Sequence, residues 1–491
     1  MDTQISDQVT PATETTCSAK SVLCVDLDGT LISGDVLWEC ILSLSKTNPL
    51  CLFLMPYWLL RGKANLKRRL ARRAGINVAN LPYRPEVLRF LRSERQAGRK
   101  LVLVTASEEE LADSVAHYLG IFDRVYGSDG KDNLKGKTKA GFLRREFADT
   151  GFEYIGNSSA DLKVWRVAKA GYVVGDESLC QQASAVTEIR GVFPAPRAAM
   201  TTWFHALRGH HWFKNLLLFL PLALAHKIHL HTIIPTVLGF LLFGMCASAI
   251  YVLNDLLDLH SDRDHPWKRK RPIAAGEISI PEGLFIAVGL LVFVLPCSFL
   301  LNRNFGFLMA GYAALTMWYS VHLKKIVLLD AFVLSSFYSI RILGGALITS
   351  VPLSHWFLVF SLFFFLSLAM AKRYSELVHA NELVESGQSG RGYIGHDRDV
   401  LMSFGVASSF SAVVVFSLYV HSPEVLALYR MPEPLLLLAP IVLYWLSRVW
   451  LKAHRGELHD DPITLAMRDP ASYAVAAASI IVIAISMVAP R

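Results

Sequence analysis

The run Asn254-Asp255-Leu-Leu-Asp258-Leu-His-Ser-Asp262 gathers four carboxylate or amide side chains within nine residues. On a helix, Asn254, Asp258 and Asp262 share one face, with Asp255 beside it. Like charges at that spacing repel, so folding alone does not call for them. A column of hard oxygen ligands suits Mg²⁺, which reaches such sites carrying substrate phosphates. The segment then turns basic, through His265, Lys268, Arg269, Lys270 and Arg271, between Pro266 and Pro272. That arm suits phosphate oxygens. A charged loop beside a membrane would explain the composition, but not the regular acid spacing or the proline-bounded arm. Together they read as a site for Mg²⁺ and a diphosphate.

A second set of reactive residues lies near the start of the chain. Ser21-Val-Leu-Cys-Val-Asp26-Leu-Asp28-Gly29-Thr30-Leu31 is a short apolar strand ending in two acids and a glycine. Carboxylates at the carboxyl end of a strand sit where open α/β sheets bind ligands. Lys100 to Ser107 is another buried strand, ending in hydroxyls at Thr105 and Ser107. Asn133-Leu-Lys135-Gly136-Lys137-Thr-Lys139 supplies basic residues ahead of a helix, and Tyr154-Ile-Gly156-Asn157-Ser158-Ser-Ala-Asp161 ends a third strand. In this order the four segments resemble the motifs of the haloacid dehalogenase (HAD) phosphatases. The resemblance implies that Asp26 attacks phosphorus and Asp28 acts as general acid and base. It implies that Thr105 and Lys135 bind phosphate, Lys139 being the alternative lysine, and that Asp26, Asp28, Asn157 and Asp161 hold Mg²⁺. A carboxylate nucleophile splits one hard step into two. Asn157 stands where the family's GDxxxD motif has its first acid. That removes one formal charge, so a HAD fold kept as a silent binding or regulatory module is the alternative to a phosphatase.

The chain that must position these residues has 491 of them, too many for one ordinary domain. It is 53% apolar, with a mean hydropathy of +0.37, and its apolar runs reach the length of a membrane helix. The average hides a split. Residues 1–200 read as soluble and mixed in charge, and residues 201–491 as apolar spans with short polar loops. The expected architecture is an N-terminal α/β, Rossmann-like domain with a helical cap, followed by an all-α membrane bundle of nine transmembrane helices. The expected boundaries are a disordered tail over 1–19, the α/β domain over 20–176 with its cap at about 36–95, a linker over 177–200, and the membrane domain over 201–491. The polar, acidic start is unlike a signal peptide. A net charge of +8 is accounted for by basic loops and does not call for nucleic acid. The seven cysteines show no CxxC pairing, which argues against zinc and against a disulfide framework. In the cap, the apolar piece Leu50–Leu60 is too short to span a bilayer. Arg61, Lys63, Lys67, Arg68, Arg69, Arg72 and Arg73 follow it, as a solvated face or as a contact to anionic lipid headgroups.

The nine expected spans are 215–231, 233–253, 281–302, 305–322, 326–348, 353–371, 401–421, 435–450 and 471–489. Loops after even-numbered spans hold most of the Lys and Arg, while the opposite loops hold only Lys227, Arg303 and Arg430. The positive-inside rule therefore sets the even-span loops and the first domain in the cytoplasm, at the inner membrane. The loops with plausible chemistry fall on that side: Lys214 and Asn215, the 254–272 run, Tyr319 with Lys324, Lys325 and Asp330, then Lys372 and Arg373, Arg391, and Asp460 with Asp461. Arg341 lies inside span five, where an arginine is functional by default.

NDxxDxxxD after the second of nine spans resembles the UbiA superfamily of membrane prenyltransferases. The longer run NDLLDLHSDRDHPWKRKRPIAAG, with RGHHWFKN upstream and KRYSEL downstream, is similar to its decaprenyl-phosphate phosphoribosyltransferase branch. That branch moves 5-phosphoribose from phosphoribosyl diphosphate (PRPP) to a polyprenyl phosphate. The resemblance implies that Asn254, Asp255, Asp258 and Asp262 hold Mg²⁺ on the donor, with Asp255 and Asp258 catalytic. It implies that Lys214, Lys268 and Arg271 neutralise its phosphates, and that the lipid head is gripped from among Lys324, Lys325, Lys372 and Arg373. Asn215, His265, Tyr319 and Arg341 complete the substrate contacts. The superfamily's second DxxxD is absent, and Asp330 stands alone there. This argues against the alternative, an aromatic polyprenyltransferase of quinone synthesis. The HAD domain would then take the 5′-phosphate off the product, leaving polyprenyl-phosphoryl-ribose for cell-envelope glycans. Self-association is left open.

Overall fold

The computed structural model describes residues 21–128, 134–195, 198–379, 392–429, 431–458 and 461–488. The expected disordered tail lies outside the described residues, as do Asn133, Arg391, Arg430 and Asp460. The chain divides into two compact units, residues 1–203 with 255–283, and residues 204–254 with 284–491. The acidic and basic run from Asp255 to Gly283 thus falls within the first of these units.

The first unit is built on six parallel strands, β1 (Val22–Val25), β2 (Leu101–Glu108), β3 (Arg124–Ser128), β4 (Phe152–Gly156), β5 (Ala170–Gly175) and β6 (Ile189–Pro194), in the order β3-β2-β1-β4-β5-β6. The inner strands are continuous apolar runs because both sheet faces are covered: Leu23, Cys24 and Val25 of β1 and Leu101, Leu103 and Val104 of β2 are inaccessible to solvent. The strand order reverses between β1 and β4, and ligand crevices of open α/β sheets lie at such a switch point. Residues 177–200 are not a linker. They form the helix Glu177–Ser184 and the edge strand β6, which pairs with β5. The alternate burial of β6 and its terminal Pro194 hid it, since an edge strand needs only one apolar face.

The cap is helical as expected, with helices Val36–Thr47, Lys63–Ala74 and Pro85–Gln96. Trp58, Leu66, Leu70, Val87 and Leu91 join the same apolar core as β1 and β2, so the cap has no separate core. Leu50, Phe53 and Leu60 of the cap stay exposed.

In the second unit and its flanks, seven helices are long and apolar enough to cross a membrane: Leu230–Leu257, Ile280–Leu301, Leu329–Thr349, His355–His379, Gly395–Val420, Glu433–His454 and Pro470–Met487. Two expected spans differ. The helix Arg303–Val321 forms but carries polar residues that keep it below that hydropathy. The expected span 215–231 is broken into a 3₁₀ stretch Gly209–Phe219 and a short helix Leu220–Leu224, with His226 left-handed at φ 52°. Pro221 lacks the N–H that would continue a helix from upstream. Gly345, in the helix Leu329–Thr349, lets the Leu218 carbonyl approach; a Cβ there would lie 2.0 Å from that oxygen. Small residues at helix contacts are how membrane helices pack closely.

Candidate active sites

In the first unit the strand ends converge. Asp26 follows β1, and its Oδ1 accepts a 2.7 Å bond from Lys139 Nζ, the third residue of the helix Lys137–Glu146. Lys139 also donates to the Val104 carbonyl at 3.1 Å and to the Tyr154 hydroxyl at 3.0 Å. Burial pushes the Asp26 carboxyl up to about 7, against the pull of the Lys139 ammonium, and the Asp161 and Asp28 charges add to the rise. Asp28 is held from two sides. Its Oδ2 accepts from Ser107 Oγ at 2.5 Å and its Oδ1 from the Val36 N–H at 2.9 Å. Gly29 has φ 73°, and a Cβ there would meet Asn157 Nδ2 at 2.1 Å, so only glycine lets Asn157 close over the turn. Thr30 Oγ1 donates to Asn157 Oδ1 at 3.2 Å.

Asp161 faces inward differently from the expectation. Its Oδ2 accepts from the Ser158 N–H at 3.0 Å and Ser158 Oγ at 2.8 Å, and its Oδ1 from the Tyr154 hydroxyl at 2.9 Å. It shapes the turn that carries Asn157. Among the described residues no three His, Cys, Asp or Glu side chains are grouped to hold a metal. Asp26, Asp28 and the Asn157 amide oxygen still make a hard-oxygen set, which fits Mg²⁺ with waters and a substrate phosphate filling its other positions.

Lys139, not the favoured Lys135, meets Asp26. Lys135 is exposed and precedes Gly136, whose φ of 57° breaks the chain direction ahead of the helix. If this crevice hydrolyses phosphomonoesters, as its motifs imply, Lys139→Met is expected to lower that rate roughly a hundredfold, as loss of one positioned electrostatic group does. Lys135→Met should change it little; steady-state rates of the two variants check this. Thr105 is fully buried and accepts from the Ser107 N–H at 3.0 Å, which turns Ser107 toward Asp28. Lys67 of the cap also reaches this end of the sheet, donating to the Ala106 carbonyl at 2.7 Å. Burial lowers its pKa, while the Asp28 and Asp35 charges oppose the drop. The sequence reading had left Lys67 among the basic residues of the cap surface.

The expected acid column is interrupted. The helix Leu230–Leu257 stops before Asp258, which has φ −91° and ψ 6°, and a second helix runs Leu259–Asp264. The Asp262 N–H still bonds the Asp258 carbonyl at 2.8 Å, so the i, i+4 phase carries across the break. Asp255 and Asp262 are buried, and one nitrogen of Arg271 donates to both, at 3.0 and 2.6 Å. His265 Nδ1 accepts from the Trp267 N–H at 3.3 Å and caps the turn into the arm. Lys268 is exposed.

In the second unit, Lys214 Nζ donates to Asp461 at 2.8 Å and to the Tyr338 hydroxyl at 3.3 Å, and Lys372 meets the same Asp461 oxygen at 3.2 Å. Lys214 also lines an apolar cavity of about 590 Å³ with Leu217, Phe357, Phe364, Phe365 and Trp445. Arg341 is buried on neutral partners, Asn215 Oδ1 at 2.9 Å, the Tyr312 hydroxyl at 3.3 Å and the Phe337 carbonyl. Arg373, buried, spends its guanidinium on Asp330 at 2.5 Å, Glu376 at 2.7 Å and the Tyr319 hydroxyl at 3.0 Å. The Tyr393 hydroxyl donates to the other Asp330 oxygen. Arg373, Tyr319 and Asp330 thus hold one another, so the two residues expected to grip substrate are engaged within the protein. Lys324 and Lys325 form a single 3₁₀ turn with Leu323.

Residues 215–468 match the UbiA prenyltransferase family. The chain belongs to that family. Its N-terminal part is a HAD domain, with residues 23–166 matching the haloacid dehalogenase-like hydrolases. Protein y4nM of Sinorhizobium fredii is 38% identical over 466 residues, which are 93% of this chain and 89% of that protein. Nodulation protein NoeC of Azorhizobium caulinodans is 34% identical over 57% of this UbiA chain and 91% of its own length. Decaprenyl-phosphate phosphoribosyltransferase of Mycobacterium tuberculosis is 38% identical over 179 residues, covering 35% of this chain and 59% of that protein. The fusion of a HAD domain with a UbiA membrane domain expected from the motifs is what the matches show, and it makes the chain a multi-pass membrane protein of transferase and hydrolase domains.

Proposed function

We propose that this UbiA-family chain transfers 5-phosphoribose from PRPP to a polyprenyl phosphate and then removes the 5′-phosphate. The disposition of its acids carries the donor assignment. Asp330, alone where a second acidic motif would stand, is fully buried on Arg373 and Tyr393, while Asp255 and Asp262 share one Arg271 nitrogen. A single acidic segment with its own cation suits the diphosphate of a water-soluble donor. The likeness to decaprenyl-phosphate phosphoribosyltransferases supports the same choice.

Two carboxylates bridged by one N–H group are already close enough to share a divalent cation, and Arg271 released from them becomes a phosphate ligand. Mg²⁺ held by Asp255, Asp258 and Asp262 with Asn254 would supply positive charge to the diphosphate. Lys268 and Arg271 neutralise the donor's phosphates. An oxygen of the lipid phosphate forms the new bond to ribose C1 as the C1–O bond to diphosphate breaks, and diphosphate leaves with the electron pair. Lys214 and Lys372 hold the lipid phosphate, and the apolar cavity beside Lys214 takes part of its tail. In the second step Asp26 attacks phosphorus of the 5′-phosphate. Asp28, held by Ser107 and Val36, gives its proton to the leaving 5′-oxygen; it then takes one from the water that attacks phosphorus of phospho-Asp26, breaking the P–O bond to Asp26 and releasing inorganic phosphate. Lys139 holds Asp26 in line. In this reading the helix Arg303–Val321 and the broken segment 209–224 complete nine crossings of the inner membrane, with the reactive loops cytoplasmic.

Purified protein given labelled PRPP or labelled polyprenyl diphosphate decides the donor. Label in the lipid product from PRPP alone is expected; label from the prenyl diphosphate on an aromatic acceptor overturns the reading. A second reading, a silent HAD module, has Asn157 in its favour. Asn157→Asp adds a carboxylate beside Asp26 and Asp28, and is expected to tighten Mg²⁺ binding roughly tenfold, on the order of one added opposite charge at close range. Isothermal titration against the wild type checks this.

A further inference from the structure

Within the first unit, one buried ion pair joins the cap to the acidic segment. Glu39, in the helix Val36–Thr47, has 0% of its surface exposed. A buried carboxylate is tolerated only when it is paired and hydrogen-bonded. Its partner is Arg263, from the helix Leu259–Asp264, in a two-point fork: NH2 to Oε1 at 2.8 Å and NH1 to Oε2 at 3.1 Å. Arg263 also donates to the Ala274 carbonyl at 3.1 Å and the Asn80 carbonyl at 3.3 Å. One guanidinium therefore fastens the outgoing helix, the turn around Ala274 and two parts of the cap. Asn80 Nδ2 adds a 2.6 Å bond to Asp264. Gly276, at φ 75°, lies so close to Ser33 that a Cβ would meet its Oγ at 2.0 Å.

Neither step of the proposed chemistry uses Glu39 or Arg263. Yet Arg263 follows Asp262 directly in the chain, and Asp262 is one of the two acids bridged by Arg271. At the other end, the helix that carries Glu39 begins with the Val36 N–H that orients Asp28. An Arg fork on a carboxylate fixes orientation as well as distance, so the helix Leu259–Asp264 has its rotation set by the cap.

We propose that Glu39 and Arg263 are positioning residues for the transferase: the HAD cap holds the acidic segment in its donor-binding conformation, making the HAD fold a required scaffold for transfer whether or not it hydrolyses anything. This rests on the reading that the segment binds the PRPP diphosphate. A loosened segment binds the donor less well before it alters the chemical step, so the change falls on KM for PRPP.

The test uses the full chain in nanodiscs. Glu39→Gln and Arg263→Gln are each expected to raise KM for PRPP about tenfold or more, with kcat and KM for the lipid phosphate nearly unchanged, since the fork is one bidentate contact. The double variant is expected to do no more harm than either single one, because both remove the same contact. Arg263→Lys keeps the charge without the fork and should fall between. If a buried single variant fails to fold in a thermal melt, Asn80→Ala, which removes the exposed side-chain bond to Asp264 beside the fork and keeps the carbonyl that Arg263 meets, should still raise KM for PRPP by a smaller factor. A folded Glu39→Gln chain with the wild-type KM for PRPP, or a rise shared equally by the lipid substrate, overturns the positioning role. If the wild-type chain puts no label from PRPP into lipid, the functional reading falls and this proposal falls with it.

Discussion

Asp258→Ala is expected to lower transfer of label from PRPP by at least roughly a hundredfold, the scale lost when one group stabilising a leaving oxyanion is removed. Asp258 sits between two helices, half-buried, and its carbonyl already accepts the Asp262 N–H. Alanine keeps that backbone bond, so the loss reports the carboxylate and not the fold. Asp258→Asn keeps an oxygen ligand and gives up the charge, and should retain more activity than alanine at high Mg²⁺. Initial rates of radiolabel entering lipid, taken across Mg²⁺ concentrations, separate the two variants. An alanine variant with wild-type rates would remove this segment from the donor site.

Asp26→Asn is expected to leave transfer intact and to stop dephosphorylation, by roughly a thousandfold or more, since the variant lacks the nucleophile itself. Asparagine fills nearly the same space, and its amide oxygen can still accept from Lys139, so the crevice need not collapse. The product lipid should then accumulate heavier by one phosphoryl group, read directly by mass spectrometry of membranes supplied with PRPP. An unchanged product mass distribution between wild type and variant would favour the silent module. The two predictions are independent, since Asp258 governs whether any ribosylated lipid forms and Asp26 governs which form it takes.

What the sequence revealed follows from how local each signal was. The strand ends at Asp26 and Asn157 were legible because an apolar run closed by a polar residue is a pattern of a few neighbours; β2 runs on past Thr105 to Glu108. Lys139 rather than Lys135 meets Asp26 for a phase reason: Lys139, Ala140 and Leu143 share the buried face of one helix, and the apolar partners at that spacing could have shown it. The first span looked continuous by hydropathy, but Pro221 and a left-handed His226 divide it. The pairing of Glu39 with Arg263, 224 residues apart, leaves no local trace. For the same reason nothing local shows that residues 255–283 pack with the first unit, although the UbiA match over 215–468 takes them in. Arg373 and Asp330 each looked functional as isolated charges; only their mutual burial reveals that they satisfy one another.

The helix Leu230–Leu257 has 28 residues. At about 1.5 Å per residue it is about 42 Å long, whereas the hydrocarbon of a bilayer is about 30 Å thick. Roughly 12 Å, or about two turns, overhangs unless the helix tilts strongly. Asn254 and Asp255 occupy its last turn, the end where the aligned peptide dipoles carry partial negative charge. An overhanging end stands at headgroup height, in contact with water. In the proposed reaction a hydrated cation with its diphosphate would be drawn there by the carboxylates and the helix together, and the sugar donor would not have to enter the oil.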